Sequence, residues 1–170
     1  MAKRPIILAP DPVLKFKCKK VVSIDDGVRR LLDDMLDTMY GAPGIGLSAP
    51  QVAAKQRVIV CDVTREDEAP RPYCMINPQV TWHSEQNVRA EEGCLSIPDH
   101  YAEVERAREI KVSYLDRDGA AQEIEATGLL SACIQHEIDH LDGILFIDYL
   151  TPLKRNIILR KMKKLKRQQS

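Results

Sequence analysis

No stretch of this 170-residue chain approaches the roughly 18 consecutive apolar residues that a membrane-spanning helix needs. The start, Met1-Ala2-Lys3-Arg4-Pro5-Ile6-Ile7-Leu8, is basic and then apolar, but Pro10-Asp11-Pro12 stops the apolar run too soon for a signal peptide. There is no C-x-x-C pair. The five cysteines (Cys18, Cys61, Cys74, Cys94, Cys133) are odd in number and scattered, which suits a reducing cytoplasmic setting better than a disulfide framework. Net charge is absent too, with 25 Lys and Arg against 25 Asp and Glu. That zero hides an asymmetry: residues 151–170 hold eight bases and no acid, while the other 150 residues hold 17 bases and 25 acids. Neither an internal repeat nor a low-complexity linker divides the chain. Its length and 44% hydrophobic content therefore fit one domain, 1–170, with a real core and a basic terminal segment.

Short strands and three helices can be read from the pattern. Asp25 or Asp26 can cap a helix whose apolar stripe is Val28, Leu31, Leu32, Met35, Leu36 and Met39, ended by Gly41-Ala42-Pro43-Gly44. Arg57 to Val63 reads as a buried strand, and Tyr73 to Trp82 as a strand interrupted by Asn77-Pro78. Ile110 to Leu115 is another strand, followed by the turn Asp116-Arg117-Asp118-Gly119 and a further strand through Ile124. Thr127 reads as the N-cap of a helix ending near Gly143, with Leu129, Leu130, Cys133 and Ile134 apolar. Thr151-Pro152 opens a last helix over about 151–167. The class is α+β, with short antiparallel sheets packed around a central helix.

That central helix carries His136-Glu137-Ile138-Asp139-His140. Two imidazoles four residues apart lie about 40° apart around a helix, so both can reach one ion. Glu137 falls beside such an ion rather than on it, where a carboxylate can handle a water proton. A catalytic site of this kind needs a third protein ligand. A third His six residues on is excluded, because that position is Phe146, and a downstream Glu is excluded because Glu137 is the last in the chain. Asp148 remains, as do His83, His100 and Cys94 upstream. Cys94 has the most suggestive surroundings, Glu92-Gly93-Cys94-Leu95-Ser96-Ile97-Pro98, where Gly93 permits close backbone approach and Pro98 stiffens the loop. Asp139 and Asp142 read as solvated or structural.

Three segments in order, Gly44-Ile45-Gly46-Leu47-Ser48-Ala49-Pro50-Gln51, Glu92-Gly93-Cys94-Leu95-Ser96 and Gln135-His136-Glu137-Ile138-Asp139-His140, resemble the three motifs of bacterial peptide deformylase. The resemblance runs from about Pro5 to about Leu153. It implies a hydrolase that removes the formyl group from the N-terminal formyl-methionine of nascent polypeptides and releases formate. Cys94, His136 and His140 would hold a divalent metal, iron(II) by resemblance, although a Cys-His-His set also suits zinc, nickel or cobalt. Glu137 would be the proton carrier, and the Gln51 side chain with the Leu95 backbone N–H would meet the charge developing on the formyl oxygen. Gly44, Ile45 and Gly46 would pair with the peptide backbone as an added strand. Leu129, Cys133 and Ile45 would line the methionine pocket, with Glu92 near its rim. Ser48 stands where alanine is common, and Tyr101 where some members have an arginine near the entrance. The resemblance also implies a cytoplasmic enzyme, and the basic C-terminal helix could meet ribosomal RNA or protein near the exit tunnel. Two other readings remain open: a general H-E-x-x-H metalloprotease, in which Cys94 is dispensable for the metal, and a ribosome-associated binding protein without turnover.

Overall fold

The computed structural model describes residues 2–169, so that Met1 and Ser170, the two ends of the expected domain, lie outside the described residues. A five-stranded antiparallel sheet has the order β1 (Gly46–Ser48), β2 (Val58–Cys61), β3 (Tyr73–His83), β6 (Glu109–Leu115), β7 (Ala121–Thr127). The hairpin β4 (Asn87–Cys94) and β5 (Ile97–Ala107) forms a second, two-stranded sheet. Three helices, α1 (Asp26–Gly41), α2 (Gly128–Leu141) and α3 (Pro152–Gln169), complete the structure.

Alternation along β2 explains the layering. Val58 and Val60 face α1, where they join Leu32, Met35 and Met39, whereas Ile59 and Cys61 face α2, with Met75, Val112, Cys133 and Ile134. A strand buried on both faces reads as a continuous apolar run, which is how Val58-Ile59-Val60-Cys61 appears in the sequence. The third core joins Ile97 and Val104 of β5 to Leu145, Phe146, Ile147 and Met162, the last from α3. Helix α2 therefore lies between the sheet and the hairpin, which is the position the sequence assigns to the helix carrying the metal motif.

Most expected boundaries hold. Asp25 caps α1 by accepting from the Val28 N–H at 3.1 Å. Gly143, at φ 76°, follows the end of α2 in the left-handed conformation that its lack of a Cβ permits. The Asn77-Pro78 interruption is a bulge, not a break. Ladder register shifts between Ile76 and Gln79, and the Asn77 side chain fills the gap by bonding both the N–H and the carbonyl of Val21. The segment from Asn87 to Ala107, by contrast, is a long hairpin where the sequence reading has only a loop around Cys94. Cys94 ends β4, Ile97 begins β5, and Leu95-Ser96 is the two-residue turn between them. Helix α3 runs to Gln169, two residues beyond its expected end, and is anchored in the third core by the fully buried Met162.

Candidate metal centre

Three donor atoms converge where α2 meets the tip of the hairpin. Cys94 Sγ lies 3.3 Å from His140 Nε2, which lies 3.2 Å from His136 Nε2, and all three atoms are within 4.8 Å of one another. Asp148 is not part of this set: its carboxylate accepts from the Leu145 N–H and from Lys15 at the start of a separate 3-10 turn. His83 is exposed on β3, and His100 borders the neighbouring cavity without joining the three donors.

The surroundings settle the tautomer of His136. Its Nδ1 is 3.0 Å from Glu92 Oε1. Burial alone would raise the Glu92 pKa, but hydrogen bonds from Arg106 and His136 hold it down at about 2. An ionised carboxylate only accepts, so Nδ1 carries a proton, and in the neutral ring that binds a metal Nε2 is the lone-pair atom, facing Cys94 and His140. Two ring nitrogens and a sulfur facing one another at these distances repel unless a proton or a cation lies among them. Bond lengths of about 2.0–2.3 Å to one tetrahedral ion separate its ligands by roughly 3.3–3.7 Å, close to the observed spacings. The donor set fits a divalent metal.

Glu137 is fully enclosed next to this group, and burial pushes its pKa up to about 7. Its Oε1 makes no hydrogen bond among the described residues. On the other side, Gln51 sits in a 3-10 turn (Ala49–Val52), with its amide nitrogen 3.5 Å from Cys94 Sγ. A cavity of about 430 Å³ opens onto Cys94, His136 and Glu137 and is walled by Gly44, Ile45, Gly46, Leu95, Leu129 and Cys133. The structure thus brings every residue of the expected constellation to one place. Leu129, 57% exposed, stands at the mouth, and Cys133 lies deeper, with its thiol 3.6 Å from the Ile45 carbonyl. Gly46 is the outer edge strand's first residue, so the backbone beside it borders open space. Tyr101, 64% exposed, lays its ring against Gly93 at the same mouth.

Glu92 lines the same cavity and has further partners. Its carboxylate is directed at His136 and Arg106. Arg106, buried, also donates to Asp139 at 2.6 Å, and Asp139 accepts from the Tyr149 hydroxyl at 2.7 Å. Asp139 is therefore part of this network, the structural one of its two expected readings. Arg106 and Tyr149 escape the sequence reading altogether. An arginine inside an alternating strand is the only trace of the first, and nothing in the local sequence marks the second.

The family model described as polypeptide deformylase matches residues 3–156. A peptide deformylase of Mesorhizobium japonicum is 53% identical over 165 residues, covering 97% of this chain and 94% of the relative. One from Rhizobium meliloti is 54% identical over 164 residues, covering 96% and 94%. Among solved structures, peptide deformylase from Ehrlichia chaffeensis in complex with actinonin superposes with a TM-score of 0.94 at 40% identity, over 98% of this chain and 99% of that one. With a convergent thiol and two imidazoles, a buried glutamate beside them and relatives matching nearly end to end, the chain belongs to the polypeptide deformylase family.

Proposed function

We propose that residues 1–170 form one catalytic unit that hydrolyses the formyl group from N-formyl-methionine at the start of nascent polypeptides, in the cytoplasm. The observation that carries this is the enclosure of Cys94, His136, His140, Glu137 and Gln51 around one end of a single apolar cavity. Cys94, His136 and His140 would hold a divalent ion, iron(II) in this reading, which would supply Lewis acidity toward water and the formyl oxygen. Everything else is the work of the chain. Glu137, with a pKa near neutrality, accepts a proton from the attacking water and passes it to the departing amine. The Gln51 amide and the Leu95 N–H stabilise negative charge on the former carbonyl oxygen, each donor contributing about 3 kcal/mol. Ile45, Leu129 and Cys133 surround the methionine side chain and exclude water. The Gly44–Gly46 backbone pairs with the peptide main chain, a contact that is indifferent to side chains and suits many substrates.

Formate release from a formyl-Met tripeptide, run beside cleavage of the unformylated peptide, tests the reading. Formate should appear only with the first substrate, and Cys94→Ala should lose both the metal and the activity. Peptide-bond cleavage, or a metal retained without the thiol, would establish a general protease instead. Iron is tested separately. A thiolate-ligated iron(II) form should lose activity in air, whereas nickel or cobalt forms persist; equal aerobic lifetimes would contradict the assignment.

The basic face of α3 makes a second contact, with the ribosome. Lys154, Arg160, Lys161, Lys163 and Lys164 are exposed on it, while Ile158, Leu159, Met162 and Leu165 pack inward. Because Met162 is fully buried, removing the helix would damage the fold, so the test is charge reversal of Lys161, Lys163 and Lys164. Salt-sensitive ribosome binding should weaken while tripeptide hydrolysis is kept. Undiminished binding would refute the contact.

A further inference from the structure

The Gln51 side chain is held at both ends of its amide by hydroxyl groups to which the chemistry above assigns no part. Its Oε1 accepts from the Ser48 N–H at 2.9 Å and from the Ser48 hydroxyl at 3.0 Å. Its Nε2 donates to the Ser96 hydroxyl at 3.0 Å and points its remaining hydrogen toward Cys94 Sγ, 3.5 Å away. Ser48 and Ser96 are fully buried, and Gln51 is 1% exposed. The Ser48 oxygen also caps the 3-10 turn by accepting from the Gln51 backbone N–H in a capping box, so the bond to Oε1 uses the hydroxyl hydrogen that the cap leaves over. The Ser96 carbonyl is separately occupied by the Ala9 N–H at 2.9 Å, which leaves its hydroxyl directed at Gln51.

We propose that the hydroxyls of Ser48 and Ser96 are a positioning pair for Gln51, fixing which amide hydrogen faces the reacting oxygen and strengthening it as a donor. The proposal rests on the hydrolytic reading and adds two residues to it. A 180° flip of the amide would set its NH2 against the Ser48 N–H, leaving a buried donor without an acceptor. With Oε1 occupied by two donors and one hydrogen occupied by Ser96, the last N–H has a single direction, toward the Cys94 sulfur at the wall of the cavity. Two donors on Oε1 also draw charge from the amide nitrogen, so its N–H binds a developing oxyanion more tightly. Such an effect is felt in the transition state more than with bound substrate.

The test uses the metal-loaded enzyme and the variants Ser48→Ala, Ser96→Ala and Gln51→Glu. Ser48→Ala and Ser96→Ala should each lower kcat by roughly three- to tenfold, the range expected from one hydrogen bond, with KM within about twofold and metal content unchanged. Combined with Gln51→Glu, which keeps the shape but lacks the amide hydrogens, neither should cause a further loss beyond about twofold. The side-chain 15N–1H2 signals of Gln51, identified by their loss in Gln51→Glu, should exchange slowly with solvent in the unmodified enzyme and faster in both serine variants. Additive losses in the Gln51→Glu background, unchanged kcat, or unchanged exchange would overturn the proposal. If the unmodified enzyme released no formate but the exchange pattern held, the hydrolytic reading would fail, and the restraint of the Gln51 amide by the two hydroxyls would stand without its catalytic purpose.

Discussion

Gly46 has no room for a methyl group, and the atoms that forbid it are those of the reaction. A Cβ built at Gly46 meets Glu137 Oε2 at 2.5 Å, Cys133 Sγ at 2.8 Å and Glu137 Cδ at 3.0 Å, whereas ordinary contacts begin near 3.4 Å. Relieving the first contact requires the carboxylate or the edge strand to retreat by about 0.9 Å, the shortfall between those distances. Catalytic groups misplaced by about 1 Å lose on the order of a hundredfold in rate, close to 3 kcal/mol at the transition state. Gly46→Ala should therefore lower kcat for formyl-Met peptide hydrolysis by about that factor while Cys94, His136 and His140 keep their metal. Overpacking should also cost roughly 1–3 kcal/mol of stability, readable in a urea titration. Gly44→Ala is the control. Its Cβ would meet Leu95 Cδ1 at 2.7 Å, but this is the end of a rotatable side chain, and the Leu95 backbone need not move. A loss below tenfold is expected there. A metal-loaded Gly46→Ala enzyme with kcat within threefold of the parent would refute the assignment of Glu137 as the group in contact with the reacting atoms.

Arg106→Ala would leave the carboxylates of Glu92 and Asp139 buried without their cation, and breaking such a pair typically costs about 3–5 kcal/mol. A chemical-denaturation midpoint unchanged by this substitution would show that the network carries no stability. Asp62 supplies a pH test away from the metal. Burial raises its pKa, but donors from Thr64, Tyr40 and Arg71 outweigh burial and leave it below the ordinary carboxylate value. A group with a depressed folded pKa stabilises the fold fully above its unfolded pKa, and that contribution disappears as pH falls through the folded value. Asp62→Asn should accordingly show a shallower decline of the denaturation midpoint below about pH 4 than the parent does. Parallel curves would remove Asp62 from the account of acid sensitivity.

What the sequence reveals depends on how far apart the cooperating residues are in the chain. His136, Glu137 and His140 are legible because a helix converts a spacing of four into a shared face, and α1 is legible for the same reason. Cys94 is harder, since its partner atoms are 42 and 46 residues away, and only the three-motif resemblance unites them. The β4–β5 hairpin is missed because its alternation is obscured by charge. Asn87 to Glu91 is exposed along its whole length, so the two-residue period that marks a half-buried strand is missing. Arg106 looks like one more surface base until the fold buries it against Glu92 and Asp139. Ser48 is visible as a departure from the usual motif, but its bond to Gln51 depends on a rotamer that no sequence pattern specifies.

The division of ligands between α2 and the hairpin gives the Arg106 network its purpose. Cys94 arrives on a two-stranded sheet that is separate from the five-stranded one, so ladder hydrogen bonds between sheets do not fix its distance from His136 and His140. Ion pairs do. Arg106 on β5 grips Glu92 on β4 with two hydrogen bonds and Asp139 on α2 with a third, and Glu92 in turn reaches His136. One planar guanidinium thus spans both strands of the hairpin and the helix, with a geometry that lysine, a single point charge, cannot reproduce. Apolar packing could also hold the hairpin, as Ile97 does against Phe146 of the 3-10 turn that follows α2, but apolar contacts slide more readily than paired hydrogen bonds. A donor set that must converge to within a few tenths of an ångström needs directional contacts. The burial of so much charge beside the site is therefore better understood as setting the position of the Cys94 sulfur than as a source of net stability.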